Sequence, residues 1–386
     1  MIRVRSPPPL HPAMHVAPAA PPASRLARIA QARQLAMHEA APLAGGLVEP
    51  WIAQSWQRCL AQGLQPQQRV NFDAVSAAAM RHASEANRTL VQAARPILSQ
   101  LGRALAETRY FAILTNHNGV VVDMDGPIDR SDRRAALITR IGVDLSEKAV
   151  GTTAIGAALR ERQSVWLHRG EHFFQDTSVY SCAGAPLFGP DGRCVGMLDL
   201  TGVEAAERPE LRHLATHAAR RIETALLLQR PHRLLLRLNW PGLALGDDAD
   251  GLVALDADGQ VLAANHAARQ LLPPLSGPQH SDLHCRDLFA LPWEMLFDAA
   301  RSGQAVEVPL WSGLRLQVRA EGAAGSGPMP RPAPTPVTPM PLRDIETSLI
   351  RKAVQEARGN VAQAARNLGI SRATVYRKLG STAKRG

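Results

Sequence analysis

Six side chains near the carboxyl end, Ser371, Arg372, Thr374, Tyr376, Arg377 and Lys378, are of the types that read and grip DNA. Guanidinium groups donate to guanine edges, a hydroxyl and a methyl answer other bases, and the cations neutralise phosphates. A second group, Trp166, Glu171, His172, Phe173, Tyr180 and Cys182, combines apolar walls with a few polar groups, the make-up of a small-molecule pocket. Ordinary domain core is the competing reading of that group. His168 and His172 stand four apart, a metal-binding spacing on a helix, but WLHRGEHF reads as strand then loop. No metal or other cofactor is therefore expected. Cys182 and Cys194 fall in or beside strand-like runs and read as buried packing residues, with a redox pair as the weaker alternative. No Ser-His-Asp or paired-carboxylate arrangement stands out, so no catalytic residue is assigned and the chain is not read as an enzyme.

The DNA-reading group needs a helix presented on a second helix. Val361, Ala364, Ala365 and Leu368 recur at i, i+3, i+4 and i+7, one face of a helix that Asn360 caps, with Gln363 completing a capping box. Gly369 suits a left-handed C-cap, Ile370 plugs the turn, and Ser371 caps the next helix. Val375 and Leu379 then face inward, which leaves Ala373, Tyr376 and Arg377 opposite them, flanked by Thr374 and Lys378. A longer helix, DIETSLIRKAVQEARGN, precedes the pair with a stripe wide enough to suggest a partner subunit.

The pocket group needs a sheet. Residues 110–124 are two strand-like runs joined by Asn118-Gly119, a strong hairpin signal, and residues 184–202 repeat the design around Pro190-Asp191-Gly192. Between them lie a helical stretch, Ser146 to Arg162, and a short strand, Ser164 to Leu167. A long amphipathic helix, Pro209 to Gln229, follows, and residues 250–273 form a third hairpin plus helix around Asp258-Gly259. Antiparallel hairpins with flanking helices predict an α+β multidomain fold ending in an all-α module.

The 386 residues suggest two or three domains, and 45% apolar content suffices for packed cores. Four scattered cysteines without a CxxC pair argue against a zinc ribbon or disulfide scaffold and for a reducing compartment. No apolar run is long enough for a membrane span, and the Pro/Ala-rich start lacks a signal-peptide core. Of the net charge of +10, +7 lies in residues 342–386, where ten Lys/Arg face three Asp/Glu. That concentration is what phosphate neutralisation by a DNA-binding module requires.

Residues 344–380, with GNVAQAARNLGISRATVYRKLG, resemble the Fis-type helix-turn-helix, which implies a dimer reading an imperfect palindrome. The phrases IAQSWQRCLAQGLQP (52–66), GVDLSEKAVGTTAIGAAL (142–159) and GEHFFQDTSVYSCAGAPLFGPDGRCVGMLDLTG (170–202) resemble the GAF sensor of the acetoin-catabolism activator family. Residues 250–273, with WSGLRLQVRA (311–320) as a later strand, resemble the PAS-like segment that follows it. The expected organisation is a disordered Pro/Ala-rich 1–44, a helical 45–108, a GAF-like sensor at 109–230, a PAS-like domain at 240–320, a linker at 321–341 and the helix-turn-helix at 342–386.

Members of that family usually carry a sigma-54-remodelling ATPase with a GxxxxGK[ST] loop, and no such string occurs here. The expectation is a cytoplasmic, DNA-bound regulator without ATPase activity. Its expected partners are double-stranded DNA, a small-molecule effector, a second copy of the chain and RNA polymerase, with no membrane. The alternatives are a GAF-fold cysteine-dependent reductase and a ligand-free modulator of full-length sigma-54 activators.

Overall fold

The computed structural model describes residues 24–37, 46–72, 74–276, 282–322, 350, 354, 357, 360–367 and 372–380. The linker beyond Gly322, most of the helix read at 344–359, and the turn from Leu368 to Ser371 lie outside the described residues, as do the side chains of Arg377, Lys378 and Leu379. The chain divides into two compact units, Met1–Ala324 and Gly325–Gly386.

The first unit opens with α1 (Arg25–Met37), α2 (Pro50–Ala61), α3 (Ala77–Ala86) and α4 (Arg88–Ala104). Helix α1 falls inside the segment read from composition as irregular. Between Pro22 and Pro42 that segment holds no proline, and the run after Ser24 is rich in Ala, Arg, Gln and Leu, good helix formers. Ser24 caps it, its Oγ accepting from Ala27 N at 3.3 Å, and Ile29 and Ala32 are buried.

Strands β1 (Tyr110–Asn116), β2 (Val121–Asp125), β3 (Val165–His168), β4 (Tyr180–Phe188) and β5 (Cys194–Val203) form an antiparallel sheet of order β2-β1-β5-β4-β3. Side chains alternate across a strand, so each contributes to two cores. Tyr110, Ala112, Leu114, Ala183, Ala185, Leu198 and Leu200 pack with α4 and α8 (Leu211–Leu228) on one face. Phe111, Ile113, Tyr180, Cys182, Met197 and Val203 take the other, under α5 (Arg133–Ile138), α6 (Glu147–Val150) and α7 (Ala154–Glu161).

The helical stretch expected over Ser146 to Arg162 is two helices, because Gly151 has φ +67°. A Cβ there would meet the Phe174 ring at 2.9 Å, so only glycine fits both the backbone and the space. After the break, Thr153 caps α7 by accepting from Gly156 N at 3.2 Å.

A second antiparallel sheet holds β6 (Leu234–Asn239), β7 (Gly251–Leu255), β8 (Val261–Ala264), β9 (Ala305–Pro309) and β10 (Arg315–Gly322), in the order β8-β7-β6-β10-β9. Helices α9 (His266–Leu271), α10 (Cys285–Leu288) and α11 (Glu294–Ser302) complete it. The central strand β6 has no sequence signal of its own, since LLLRLN follows α8 closely and lacks clean alternation. It pairs with β7 and β10 on its two sides. In the second unit, α12 (Val361–Asn367) and α13 (Arg372–Gly380) bury Ala364, Ala365 and Val375 with Ile350.

Candidate functional site

Strands β4 and β5 place Cys182 opposite Thr201, and β1 places Ile113 opposite Asp199. On the face turned toward α5, α6 and α7 these residues border a small cavity, with Leu145, Val150 and Ile155 as apolar cover and His172 and Tyr180 at its side. The space open to the centres of water-sized molecules is about 30 Å³. That accommodates one or two waters or a molecule of a few heavy atoms.

Each polar group of the wall has a definite state. Asp199 is buried; its Oδ2 accepts from Thr201 Oγ1, while Oδ1 has no hydrogen-bonding partner among the described residues. Burial pushes its carboxyl up to about 7, against the opposing bond from Thr201. His172 Nδ1 lies 2.9 Å from the Arg169 carbonyl, which can only accept, so Nδ1 carries the proton and Nε2 is an acceptor. Nε2 has no partner among the described residues, and burial pulls the ring down to about 4, leaving it neutral. Tyr180 Oη donates to Arg134 O at 3.0 Å, and burial pushes the phenol up. The Cys182 thiol lies 3.6 Å from Thr201 Oγ1 and is pushed well up, by burial first and then by the nearby Asp199.

Three of the six residues expected to form a pocket, His172, Tyr180 and Cys182, therefore meet at this cavity. The other three do not border it. Trp166 belongs to the opposite face of the sheet, packed with Ala183 and Leu200 and stacked on His168 at 6.2 Å. Glu171 turns to α1, where both its oxygens accept from Arg25 Nη2 at 2.8 Å. Phe173 packs with Ala32, Ile52 and Trp56 of α1 and α2. Asp199 and Thr201 escaped the sequence reading. The available signal was one acid inside the apolar run CVGMLDLTGV, which a two-sided buried strand has no reason to hold.

In the second unit the expected cap is present: Asn360 Oδ1 accepts from Gln363 N at 3.1 Å. Val375 is fully buried, and Tyr376, one residue on, is 63% exposed. Arg372 and Ala373 are exposed and Thr374 is half-buried. Arg377 and Lys378 lie on α13, with side chains outside the described residues, and Ser371 precedes it, also outside them. Among the described residues no His/Cys/Asp/Glu group could hold a metal, and no helix is long and apolar enough to cross a membrane.

Residues 341–380 match the family described as bacterial regulatory protein, Fis family. A relative in Cupriavidus necator, the acetoin catabolism regulatory protein, is 32% identical over 231 residues, 57% of this chain and 34% of that one. The acetoin dehydrogenase operon transcriptional activator of Bacillus subtilis is 30% identical over 176 residues, 45% of this chain and 29% of that one. The chain thus spans about a third of the length of these curated relatives. The crystal structure of the E. coli DhaR(N)-DhaL complex aligns over 71% of this chain and 100% of the matched chain, at 15% identity and a TM-score of 0.44. More than half of the chain, residues 9–224 with the whole first sheet and its cavity, matches the family described as MimR, N-terminal domain, and the protein belongs to that family.

Proposed function

We propose that this protein is a sequence-specific DNA-binding transcriptional regulator whose first sheet senses a small molecule. One observation carries the sensing role: a small, mainly apolar cavity offers two buried atoms without partners among the described residues, Asp199 Oδ1 and His172 Nε2, in a chain that also carries a Fis-family helix pair. An unmatched buried polar atom costs about 1–3 kcal/mol, so a strand that keeps one has a use for it. Both atoms accept hydrogen bonds when the carboxyl is ionised. The proposed effector is a compact molecule of a few heavy atoms that supplies donors and carries no negative charge. The two relatives are named as regulators of acetoin metabolism, which supports a regulatory role.

The proposed reader is α13, with Ser371, Arg372, Thr374, Tyr376, Arg377 and Lys378 toward DNA, in a homodimer that places two such helices in successive major grooves. RNA polymerase is the proposed downstream partner, and the cytoplasm the proposed location. No phosphate-cradling GxxxxGK[ST] string occurs in the sequence, so DNA binding is proposed to proceed without ATP hydrolysis.

The reductase reading finds less support. A catalytic thiol needs a depressed pKa and a resolving partner, whereas the Cys182 thiol is pushed up. Cys194 pairs with Phe188 at the far end of the hairpin that holds Cys182.

The test is a thermal-shift screen of small polar compounds on the full chain, followed by operator binding with each hit. An effector at a hundredfold excess over its Kd adds about 2.7 kcal/mol of stability. It should also change operator affinity by about 5- to 150-fold. A panel without any hit, in a protein that still regulates, sinks the sensing role and favours the ligand-free modulator.

A further inference from the structure

The segment Arg169–Phe174 brings His172 to the cavity, yet it belongs to no strand. Its carbonyls are held mainly from outside. Arg33 Nη1 donates to Gly170 O at 2.9 Å and to His172 O at 2.6 Å, and Arg33 Nη2 donates to Phe173 O at 3.0 Å. Trp56 Nε1 donates to Glu171 O at 2.9 Å, and the Arg33 guanidinium lies 5.7 Å from the Trp56 ring centroid. Only the Arg169 carbonyl is taken from within the segment, by His172 itself. The approach of α1 is close: a Cβ on Gly170 would meet Ile29 Cγ2 at 3.1 Å. Two nitrogens of the planar fork share these three carbonyls, Nη1 taking two and Nη2 one, whereas a lysine would bring a single nitrogen on a flexible stem.

We propose that Arg33 is a positioning residue for the cavity: by holding the Gly170, His172 and Phe173 carbonyls it fixes the His172 ring with Nδ1 donating inside its own turn and Nε2 offered to a ligand. It thereby selects for donors on the effector. This rests on the reading of the cavity as a ligand site. Helix α1, which composition alone marks as irregular, becomes part of the sensor. Arg25 on the same helix is a contrast, since it grips the Glu171 side chain and none of those three carbonyls.

The groups around the His172 ring are Arg169 of the segment, Arg33 on α1, His168 at the end of β3, and Tyr180, Cys182 and Asp199 on β4 and β5. The experiment is histidine-selective nitrogen NMR on the full chain, with the His172 signal assigned by its loss in His172→Gln. In the wild type the expected result is the Nδ1–H tautomer, with no protonation until the pH falls to about 4. In folded Arg33→Ala the tautomer should become mixed and titration should move back toward 6.5, its ordinary value. Arg33→Lys should behave in the same way, and Arg25→Ala should keep the wild-type tautomer. If Arg33→Ala does not fold, Arg33→Lys carries the test. An unchanged His172 signal in a folded Arg33 variant, or the same change in Arg25→Ala, overturns the proposal. No ligand is needed, so this result stands apart from the success or failure of the compound screen.

Discussion

Asp199 ties the cavity to a measurable pH dependence. Its folded-state pKa, about 7, lies above the ordinary 3.8, so folding favours the protonated carboxyl. Its contribution to stability is fully present below the unfolded value and is lost as pH rises through the folded one. Glu223, buried on α8, is likewise pushed up to about 7 by burial and adds a loss of the same sign. Asp199→Asn keeps the shape and removes one titration. Urea midpoints measured from pH 5 to 8 should therefore fall less steeply in the variant, which gains roughly 1–3 kcal/mol over wild type at the alkaline end. Parallel curves for the two proteins would contradict a buried, titrating Asp199. At the other end of the chain, Arg377 follows the exposed Tyr376 on α13, two positions after the buried Val375. Arg377→Ala should cost about 1–3 kcal/mol of specific operator binding and leave the melt unchanged. Equal operator affinity across salt concentrations would remove Arg377 from the reading face.

At the scale of elements, the break between α6 and α7 shapes the cavity. It lets Val150 and Ile155 come from separate helices and turns Thr152 toward Ser55, whose hydroxyl oxygens lie 2.7 Å apart. Gly151→Ala would put a Cβ at positive φ and against Phe174, so it should destabilise the chain by about 1–3 kcal/mol in urea unfolding. A neutral outcome would mean that the break does not depend on glycine. The hairpins at Asn118-Gly119, Pro190-Asp191-Gly192 and Asp258-Gly259 were legible because turn chemistry is local. Strand β6 was not, because it owes its place at the centre of the sheet to pairing with β7 on one side and, on the other, with β10, which lies far along the chain. Helix α1 was hidden by its proline-rich neighbour, although its own residues favour a helix.

Within the first unit, the tip of the β4–β5 hairpin is docked onto the second sheet. Arg269 on α9 donates to Pro190 O at 2.8 Å, and Ala264 N donates to the same carbonyl at 3.1 Å. Phe188 stacks on His266 at 5.0 Å, while Glu223 accepts from Phe188 N at 2.8 Å. A Cβ on Gly192 would come within 2.8 Å of the Arg269 guanidinium carbon, so the contact is tight. The strands that wall the cavity therefore end in a joint to the β8–α9 segment. Arg269→Ala should lower stability by roughly 1–3 kcal/mol through lost hydrogen bonds. It should also speed amide exchange at residues 189–193 while leaving β1 and β2 protected. Unchanged exchange at the turn would show that Arg269 does not hold the joint.

Much of this protein's character is local, and the sequence alone determined it. A helix face at i, i+3, i+4 and i+7, a cap at Asn360, three turn signals and a charge imbalance in the tail each depend on neighbours a few residues apart. They specify the α+β class and the α12–α13 helix pair. The cavity is another matter. His172, Tyr180 and Cys182 lie within eleven residues, yet Phe173 among them and the nearby Trp166 and Glu171 border no part of the cavity. Strand alternation and one external arginine decide which side chains turn inward. Asp199 and Thr201 join the site only through the pairing of β5 with β1 and β4, and the backbone around His172 is gripped from α1, more than 130 residues earlier. Contacts of that range are set by the energy of the whole packed sheet, which no stretch of sequence carries by itself.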